Sequence, residues 1–218
     1  MTEIEERLEE VRQQAIVCES CELSETRTNV VFGEGNPNTP LVLVGEGPGA
    51  NEDATGRPFV GRAGQLLDEV LRENGITRKH VYICNVVKCR ASIREGASVR
   101  NRPPRTEEVT ACLPWLRQQL DIMKPLVILC LGAPAANVII HRDFRMTKER
   151  GIWFTSTYAR YAMAALHPAY VLRQHGAEFE TARRQLSDDI ASARRKVIEL
   201  KKEPKAEPKA EPQNLTLF

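Results

Sequence analysis

The sequence has 218 residues, of which 42% are apolar and 28% are charged, as in a globular protein with one sizeable core. Its net charge of +2, from 31 Lys+Arg against 29 Asp+Glu, neither favours nor excludes a nucleic-acid partner. No apolar run reaches the roughly 18–20 residues that a membrane span requires. The acidic start MTEIEERLEEVR does not resemble a signal peptide, so a cytoplasmic protein is expected.

Buried strands and helices alternate along the chain. A first helix is expected over about residues 3–16, where Thr2 and Glu5 fit a capping box. Short apolar runs predict strands at 41–45, 81–87, 126–131 and 161–166, and helical patterns cover 62–74, 105–121, 133–140 and 177–201. This alternation predicts an α/β fold with a mostly parallel sheet between two layers of helices. Binding sites in such sheets form at the carboxyl ends of the strands.

The composition changes after Lys202. An EPKA repeat over 203–212 contains no apolar residue larger than Ala, so we expect a disordered tether after a folded domain at 1–202. The chain then ends in QNLTLF, with three large apolar residues in six. We interpret these six residues as a docking peptide. The alternative is a tail strand that folds back on the domain.

The six cysteines fall into two groups. Cys18 and Cys21 form a C-x2-C pair, and Cys89 and Cys112 follow after gaps of 67 and 22 residues. Four thiolates are suited to zinc or to an iron–sulfur cluster, although a 67-residue gap is not a compact spacing and free thiols are the alternative. The remaining two cysteines lie inside apolar strand runs and are interpreted as small buried hydrophobes: Cys84 and Cys130.

A glycine-rich segment, GEGPG at 45–49, follows the first long predicted strand. It lacks the Gly-Lys-Ser/Thr ending of a Walker loop. The carboxylates of Glu46, Glu52 and Asp53 would also repel a phosphate. We interpret the segment as a wall that lets a flat neutral ligand approach the backbone, an ordinary turn being the alternative. Phe59, further along, is either a stacking platform for such a ligand or a core residue.

Polar residues also end two other predicted strands. Asn85 needs hydrogen-bond partners, because an unsatisfied buried amide costs roughly 1–3 kcal/mol. It could read the edge of a base or cap a local turn. His167, followed by proline, could act on developing negative charge or be a satisfied structural residue.

Basic residues concentrate in the middle of the chain. Between Lys88 and Arg117 there are seven Lys or Arg residues against three Glu. Such a segment can meet a phosphate backbone, although a solvated charged loop is the default interpretation of any single residue in it.

Together these blocks resemble the family 4 uracil-DNA glycosylases, the iron–sulfur branch of the uracil-DNA glycosylase superfamily. The resemblance covers about residues 10–195. It is carried by the C-x2-C pair, GEGPGANEDATGRPFVGRAGQLL (45–67), VYICNVVKCR (81–90), Cys112 and HPAYVLR (167–173). It implies a three-layer αβα fold with a central four-stranded parallel sheet. It also implies a monofunctional hydrolase that removes uracil from single- or double-stranded DNA in base excision repair.

The resemblance further implies roles for particular residues. A structural 4Fe–4S cluster would be held by four thiolates: Cys18, Cys21, Cys89 and Cys112. Phe59 would stack on the extruded uracil, Asn85 would pair with its edge, and His167 would face its O2. Glu46 and Glu52 would be catalytic, and the water would be positioned by Glu52 or by backbone near Gly47. The other implied roles are a pocket wall at Gly47 and DNA contacts at Arg62, Gly64, Tyr170 and Arg173. The 60–64 helix start would also receive DNA phosphates.

Some positions depart from the family pattern. Gly47 stands where Ala is usual, and Ala169 where Ser is usual after His-Pro. The segment between Cys89 and Cys112 is longer than typical and carries extra arginines, which bears on DNA contacts and opposite-base preference. Residues 141–151 lack the basic run ending in His that marks a covalent uracil-DNA-binding branch, so covalent behaviour is not expected.

The tail resembles the peptides by which bacterial repair proteins dock on the sliding clamp. Its anchors would be Gln213, Leu215, Leu217 and Phe218. We expect a monomer associated with the nucleoid. The competing hypothesis is a non-catalytic or altered-specificity DNA-binding repair protein with a four-cysteine zinc site. An electron-transfer module is disfavoured because it would need neither a stacking aromatic nor a polar base reader.

Overall fold

The computed structural model describes residues 2–96 and 98–203. The helices are α1 Glu3–Ile16, α2 Leu23–Thr26, α3 Ala50–Thr55, α4 Arg62–Glu73, α5 Thr106–Met123, α6 Ala133–Ile139, α7 Met146–Glu149, α8 Pro168–Val171 and α9 Gly176–Lys202. The strands are β1 Glu34–Gly35, β2 Leu41–Gly45, β3 Tyr82–Asn85, β4 Ser92–Glu95, β5 Ser98–Asn101, β6 Val127–Leu131 and β7 Tyr161–Ala165. A short 3-10 turn covers Arg78–His80.

The central sheet has five strands in the order β1-β3-β2-β6-β7. Strands β3, β2, β6 and β7 run parallel, and the two-residue β1 pairs antiparallel with β3. The four expected parallel strands are therefore present, with a short antiparallel strand added at one edge. The continuous apolar runs suit this position, because strands of a parallel sheet are buried on both faces. Every residue of β2 and β6 is buried.

Helices cover both faces of the sheet and complete the expected three layers. The side chains of β2 alternate between the two faces. Val42 and Val44 join the core that includes residues of α1, α5 and α6. Leu41 and Leu43 join the core that includes residues of α4, α8 and α9. The carboxyl ends of β2, β3, β6 and β7 consequently share one edge of the sheet.

The predicted capping box of α1 is confirmed. The Thr2 amide donates to Glu5 Oε2 at 2.8 Å, and the Glu5 amide donates to Thr2 Oγ1 at 3.3 Å. Within residues 2–96 and 98–203, no helix is both long and apolar enough to cross a membrane. The predicted tether and the docking peptide (Gln213, Leu215, Leu217 and Phe218) lie outside the described residues.

The sequence did not predict the hairpin of β4 and β5. These strands pair antiparallel with one another and form a separate two-stranded sheet. Most of their side chains are exposed, so the sequence here lacks the apolar alternation that marks a half-buried strand. The hairpin lies within the long segment between Cys89 and Cys112.

Candidate active site

Two adjoining cavities open at the carboxyl edge of the sheet. The smaller, which we call the base pocket, has a volume of about 420 Å³ and is lined by the turn after β2, Phe59, Asn85 and His167. The larger, which we call the outer cavity, has a volume of about 1000 Å³ and is lined by residues of α6, α7 and α9. Both cavities are lined by Glu46, His167 and Ala169, so the two are continuous there.

Asn85 supplies an unsatisfied acceptor to the base pocket. It is the last residue of β3 and is 1% exposed, yet its Oδ1 has no hydrogen-bond partner within the described part of the chain. Gly45, across from it on β2, leaves space there: a Cβ at this position would lie 2.4 Å from Asn85 Oδ1 and 2.7 Å from Phe59 Cζ. An unsatisfied buried acceptor costs about 1–3 kcal/mol. The pocket is therefore built to receive a hydrogen-bond donor.

Phe59 forms a flat wall of the same pocket. Its ring centroid lies 5.6 Å from that of His167, with 31° between the ring planes. Its φ of 52° is in the left-handed region, which is rare for an aromatic residue. Arg78 holds this backbone by donating to the carbonyl of Pro58 at 2.9 Å and to that of Phe59. Phe59 is both a core residue and a pocket wall, which unites the two alternatives that its sequence left open.

His167 is a neutral hydrogen-bond donor in this site. The Ala169 amide donates to its Nδ1 at 3.0 Å, which places the proton of the neutral ring on Nε2. Burial, together with the positive charge of Arg173, lowers the pKa of His167 to about 4, against an opposing effect of Glu52. The imidazole is therefore uncharged at neutral pH and offers an N–H group to a ligand.

The two candidate carboxylates have different surroundings. Glu52 Oε1 accepts from the amides of Val60 and Gly61 at 2.8 Å each, and its Oε2 accepts from the amide of Gly49 at 3.1 Å. Glu52 thereby joins the turn after β2 to the segment before α4. Glu46 has no hydrogen-bond or ion-pair partner among the described residues, and burial raises its pKa. Glu46 is therefore the carboxylate with free acceptor capacity beside both cavities.

The predicted DNA contacts have mixed positions. Arg62 is exposed and lines the base pocket, and Tyr170 and Arg173 are exposed and line the outer cavity. Gly64 is buried, and a Cβ there would lie 1.8 Å from the carbonyl oxygen of Phe59, so close packing accounts for this glycine. Contacts of these four residues with DNA stay predictions.

The helix start at 60–64 offers less to a phosphate than the sequence suggested. The amides of Val60 and Gly61 already donate to Glu52, so they are not free to bind an anion.

The predicted pocket wall at Gly47 is closely packed. A Cβ at this position would lie 2.6 Å from Val87 Cγ2, so packing gives a reason for the glycine.

The four predicted ligand cysteines lie together. A small cavity separate from the base pocket, which we call the cysteine cavity, is lined by Cys18, Cys21, Cys89 and Cys112. N–H groups approach three of the sulfurs. Trp115 Nε1 donates to Cys18 at 3.4 Å, Arg27 Nη1 to Cys89 at 3.6 Å, and the Lys88 amide to Cys112 at 3.1 Å. Across the described residues, no three His, Cys, Asp or Glu side chains are arranged to hold a single metal ion.

Lys88 connects the two sites, a role that the sequence did not predict. Its side chain is 1% exposed, and Nζ donates to the Asn85 carbonyl at 2.8 Å and to Gln119 Oε1 at 2.5 Å. Its backbone amide meets Cys112, as described above. In the sequence, Lys88 was counted among the basic residues of a solvated segment. Its position between the end of a buried strand and a cysteine could have indicated that it is buried.

Arg102 is likewise not a free cation. It forms a double ion pair with the buried carboxylate of Glu108, with distances of 2.8 and 2.5 Å. The hydrogen bonds from Arg102 also lower the pKa of Glu108. The basic middle of the chain therefore carries fewer exposed charges than its composition indicated.

The fold and the base pocket together define an αβα protein whose sheet edge carries a pocket with an aromatic wall and an unsatisfied hydrogen-bond acceptor. Residues 32–191 match the family described as the Uracil DNA glycosylase superfamily. The chain is 46% identical over 191 residues to the Type-4 uracil-DNA glycosylase of Thermotoga maritima, covering 87% of this chain and 94% of that relative. It is 38% identical over 208 residues to the Type-4 uracil-DNA glycosylase of Archaeoglobus fulgidus, covering 91% and 96% respectively.

A Type-5 uracil-DNA glycosylase of Pyrobaculum aerophilum is 32% identical over 121 residues, covering 49% of this chain and 50% of the relative. The Type-4 similarity is higher and extends over much more of the chain. The protein belongs to the Type-4 branch of the uracil-DNA glycosylase superfamily, as the sequence motifs predicted.

Proposed function

We propose that the protein is a monofunctional DNA glycosylase that hydrolyses the N-glycosidic bond of uracil in base excision repair. Asn85 carries this proposal, because its buried Oδ1 lacks a partner in a pocket walled by Phe59 and His167. Membership of the family supplies the substrate class, since the relatives are named uracil-DNA glycosylases.

The base must leave the DNA stack before it can enter the base pocket. Because the base pocket is recessed in the protein surface, a base that is stacked inside a duplex cannot enter it, and the nucleotide has to be extruded. Uracil presents an N3–H donor beside its O4 acceptor. Asn85 Oδ1 accepts from N3–H, and the amide nitrogen donates to O4. Cytosine has an acceptor at N3, so the same amide orientation disfavours it. Phe59 provides the stacking surface.

His167 stabilises the charge that forms when the bond breaks. The electron pair of the bond between C1′ and N1 moves onto uracil, which becomes an anion while the sugar becomes an oxocarbenium ion. The Nε2–H group of His167 donates to O2 of this anion. A donor held in place before the reaction acts most strongly where charge develops.

Glu46 completes the hydrolysis. Its carboxylate lies where the two cavities meet and has free lone pairs, so it orients the water that adds to C1′ and accepts that water's proton. Glu52 serves instead as a positioning residue, because its oxygens hold the amides of Gly49, Val60 and Gly61.

An oligonucleotide carrying one uracil tests this function. Incubation with the purified protein followed by alkali should break the strand at the uracil position, because alkali cleaves at the abasic site that the enzyme leaves. A matched strand with cytosine at that position should stay intact. Asn85→Ala should excise uracil much more slowly. An intact uracil strand after incubation with folded wild-type protein would refute the proposal.

We also infer that the cysteine cavity holds a 4Fe–4S cluster. Four thiols line one cavity, and N–H donors approach three of the sulfurs, as hydrogen bonds to the sulfurs of a thiolate-held cluster do. The cluster would supply a cross-link between the end of α1, the segment after β3 and α5, with no part in the hydrolysis. A brown protein with broad absorbance near roughly 400 nm supports this, whereas a colourless zinc protein refutes it.

On sequence alone, we propose that the C-terminal peptide docks on a bacterial sliding clamp, and that a monomer acts at the nucleoid. Gln213, Leu215, Leu217 and Phe218 would be the anchors. A chain lacking residues 213–218 should lose clamp binding in a size-exclusion assay while still excising uracil. A full chain that does not bind the clamp would refute this part.

A further inference from the structure

The hairpin of β4 and β5 stands at the mouth of the base pocket. Ala91, Asn101 and Arg102, which flank or end its strands, line that pocket. The hairpin begins within three residues of Cys89, a predicted cluster ligand. It is the part of the long segment between the last two ligand cysteines that the proposed chemistry does not use.

The base of the hairpin is held firmly. The Arg102 amide donates to the Ala91 carbonyl at 3.0 Å, and its Nε donates to the Ser92 carbonyl at 3.2 Å. The same guanidinium pairs with the buried Glu108 of α5. Arg90 Nε donates to Asn101 Oδ1 at 2.7 Å. Both strands therefore leave the body of the protein from fixed points beside the pocket.

The outer part of the hairpin lacks partners. Ile93 is 47% exposed and Val99 is 41% exposed, although both are large apolar residues. The Arg94 side chain is exposed and forms no ion pair or hydrogen bond with any described residue. Arg100, also exposed, pairs with Glu95. The hairpin thus presents cationic and apolar side chains to solvent, while its base is held to the body of the protein by hydrogen bonds.

We propose that this hairpin is a DNA-contacting arm that lies on the phosphate backbone beside the extruded nucleotide. The inference rests on the proposed function, since an extruded nucleotide in the base pocket places its flanking strand at the pocket mouth. Arg94 and Arg90 bind phosphates, and Arg100 exchanges Glu95 for a phosphate. Val99, which pairs across the hairpin with Arg94 and shares its face, lies against sugar edges, as apolar side chains do in minor-groove contacts, while Ile93 lies on the opposite face beside Arg100.

Charge complementarity selects DNA over a protein partner for this surface. Of the four arginines between Arg90 and Arg102, Arg102 pairs with Glu108 and Arg100 with Glu95, so the charges of Arg90 and Arg94 have no ion-pair partner among the described residues. A polyanion matches these positive charges, and the two apolar side chains are too few to form the core of a protein interface.

The test measures binding to a uracil-free duplex, so that it does not depend on excision. Arg94→Glu should raise the Kd by about tenfold at 100 mM salt and reduce the slope of log K against log salt by about 0.9 or more. The matched control is Arg195→Glu, which makes the same charge change on an exposed residue. Arg195 lies near the C-terminal end of α9, whereas the N-terminal end of this helix lines the outer cavity. It should change Kd less than about twofold, as expected for a distant charge.

Glu95→Gln gives a result of the opposite sign. Because it releases Arg100 and removes a negative charge, it should tighten binding about two- to threefold and steepen the salt dependence. Circular dichroism and melting temperature confirm folding of each variant. Equal Kd values for Arg94→Glu and Arg195→Glu, or weaker binding by Glu95→Gln, would overturn the proposal. Failure of the wild-type protein to excise uracil would overturn the proposed function instead.

Discussion

The base pocket and the cysteine cavity treat their polar atoms in opposite ways. In the base pocket, Asn85 Oδ1 and the Glu46 carboxylate lack partners among the described residues. In the cysteine cavity, three of the four sulfurs already accept N–H groups. A turnover site must leave its groups free for a ligand that comes and goes. A permanently bound group, by contrast, is held by hydrogen bonds to its ligand sulfurs, since those sulfurs never need to be free for another ligand.

The two sites share the segment that follows β3. Asn85 ends the strand, Lys88 bridges to its carbonyl, and Cys89 comes next in the chain. The comparison therefore predicts that damage to the cysteine cavity affects the whole fold, whereas damage to the base pocket affects mainly the reaction. The following changes, from the largest expected effect to the smallest, test that separation.

Cys89→Ala should have the largest effect. Loss of one ligand would prevent assembly of the cluster and release the segment that carries both the hairpin and Asn85, so we expect mostly insoluble protein without brown colour. Cys130→Ala is the matched control, because Cys130 is buried in β6 away from the cysteine cavity. It should remain soluble and lose about 1 kcal/mol of stability, as for a small core truncation. Soluble iron-loaded Cys89→Ala with wild-type melting would contradict the ligand assignment.

His167→Ala should remove catalysis while leaving the fold intact. Loss of one preorganised donor to a developing anion costs about 10²–10³ in rate. Single-turnover excision measures this effect, with iron content and melting temperature as controls for the cysteine cavity. Loss of colour in this variant would mean that the two sites are not separable.

Lys88→Met breaks the connection between the sites. Methionine fills a similar volume but leaves the Asn85 carbonyl and Gln119 Oε1 without their donor, so we expect a loss of about 1–3 kcal/mol in the free energy of unfolding. Urea denaturation measures it. In a double-mutant cycle, Gln119→Leu should cost much less in the Lys88→Met background than in the wild type. Additive effects would show that the hydrogen bond at 2.5 Å contributes little.

His167 also gives stability a dependence on pH. Its pKa is lowered to about 4 in the folded chain, mainly by burial, from an ordinary value of 6.5. Between these values the unfolded chain binds more protons, so this contribution to stability falls as pH falls from 6.5 to 4. The loss approaches about 1.4 kcal/mol per pH unit. His167→Gln should be less acid-sensitive in urea titrations at pH 7 and pH 5. An identical pH dependence in the variant would refute the low pKa.

The parallel strands and the site motifs were predictable from the sequence because each follows from local chemistry. Apolar runs of four to seven residues marked the strands, and Asn85 and His167 stood out as polar residues that end such runs. Distant pairings were not predictable. Nothing near Lys88 in the chain indicates that Gln119 Oε1 accepts a hydrogen bond from it, and nothing near Arg102 indicates a buried position for Glu108.

The role of Glu52 shows the same limit within the site. Its position in the family motif suggested catalysis, but which of its oxygens remain free depends on how the segment before α4 folds back to it. The hairpin was not predicted for a different reason. Because neither of its faces is buried, its strands lack the alternation of apolar and polar residues by which a strand is predicted from sequence.

Gly47→Ala should slow excision far less than His167→Ala does and tests how tightly the base pocket wall is fitted. The added methyl group would lie 2.6 Å from Val87 Cγ2, a buried side chain, so either Val87 or the turn after β2 must shift. Overpacking of this kind costs about 1–3 kcal/mol. Because the turn also carries Glu46, we expect a several-fold slower excision together with a lower melting temperature. The double variant Gly47→Ala/Val87→Ala should recover much of the rate, since it removes the clashing methyl groups. If the double variant is slower than Gly47→Ala alone, Val87 itself shapes the pocket, and the glycine is required for the ligand rather than for packing.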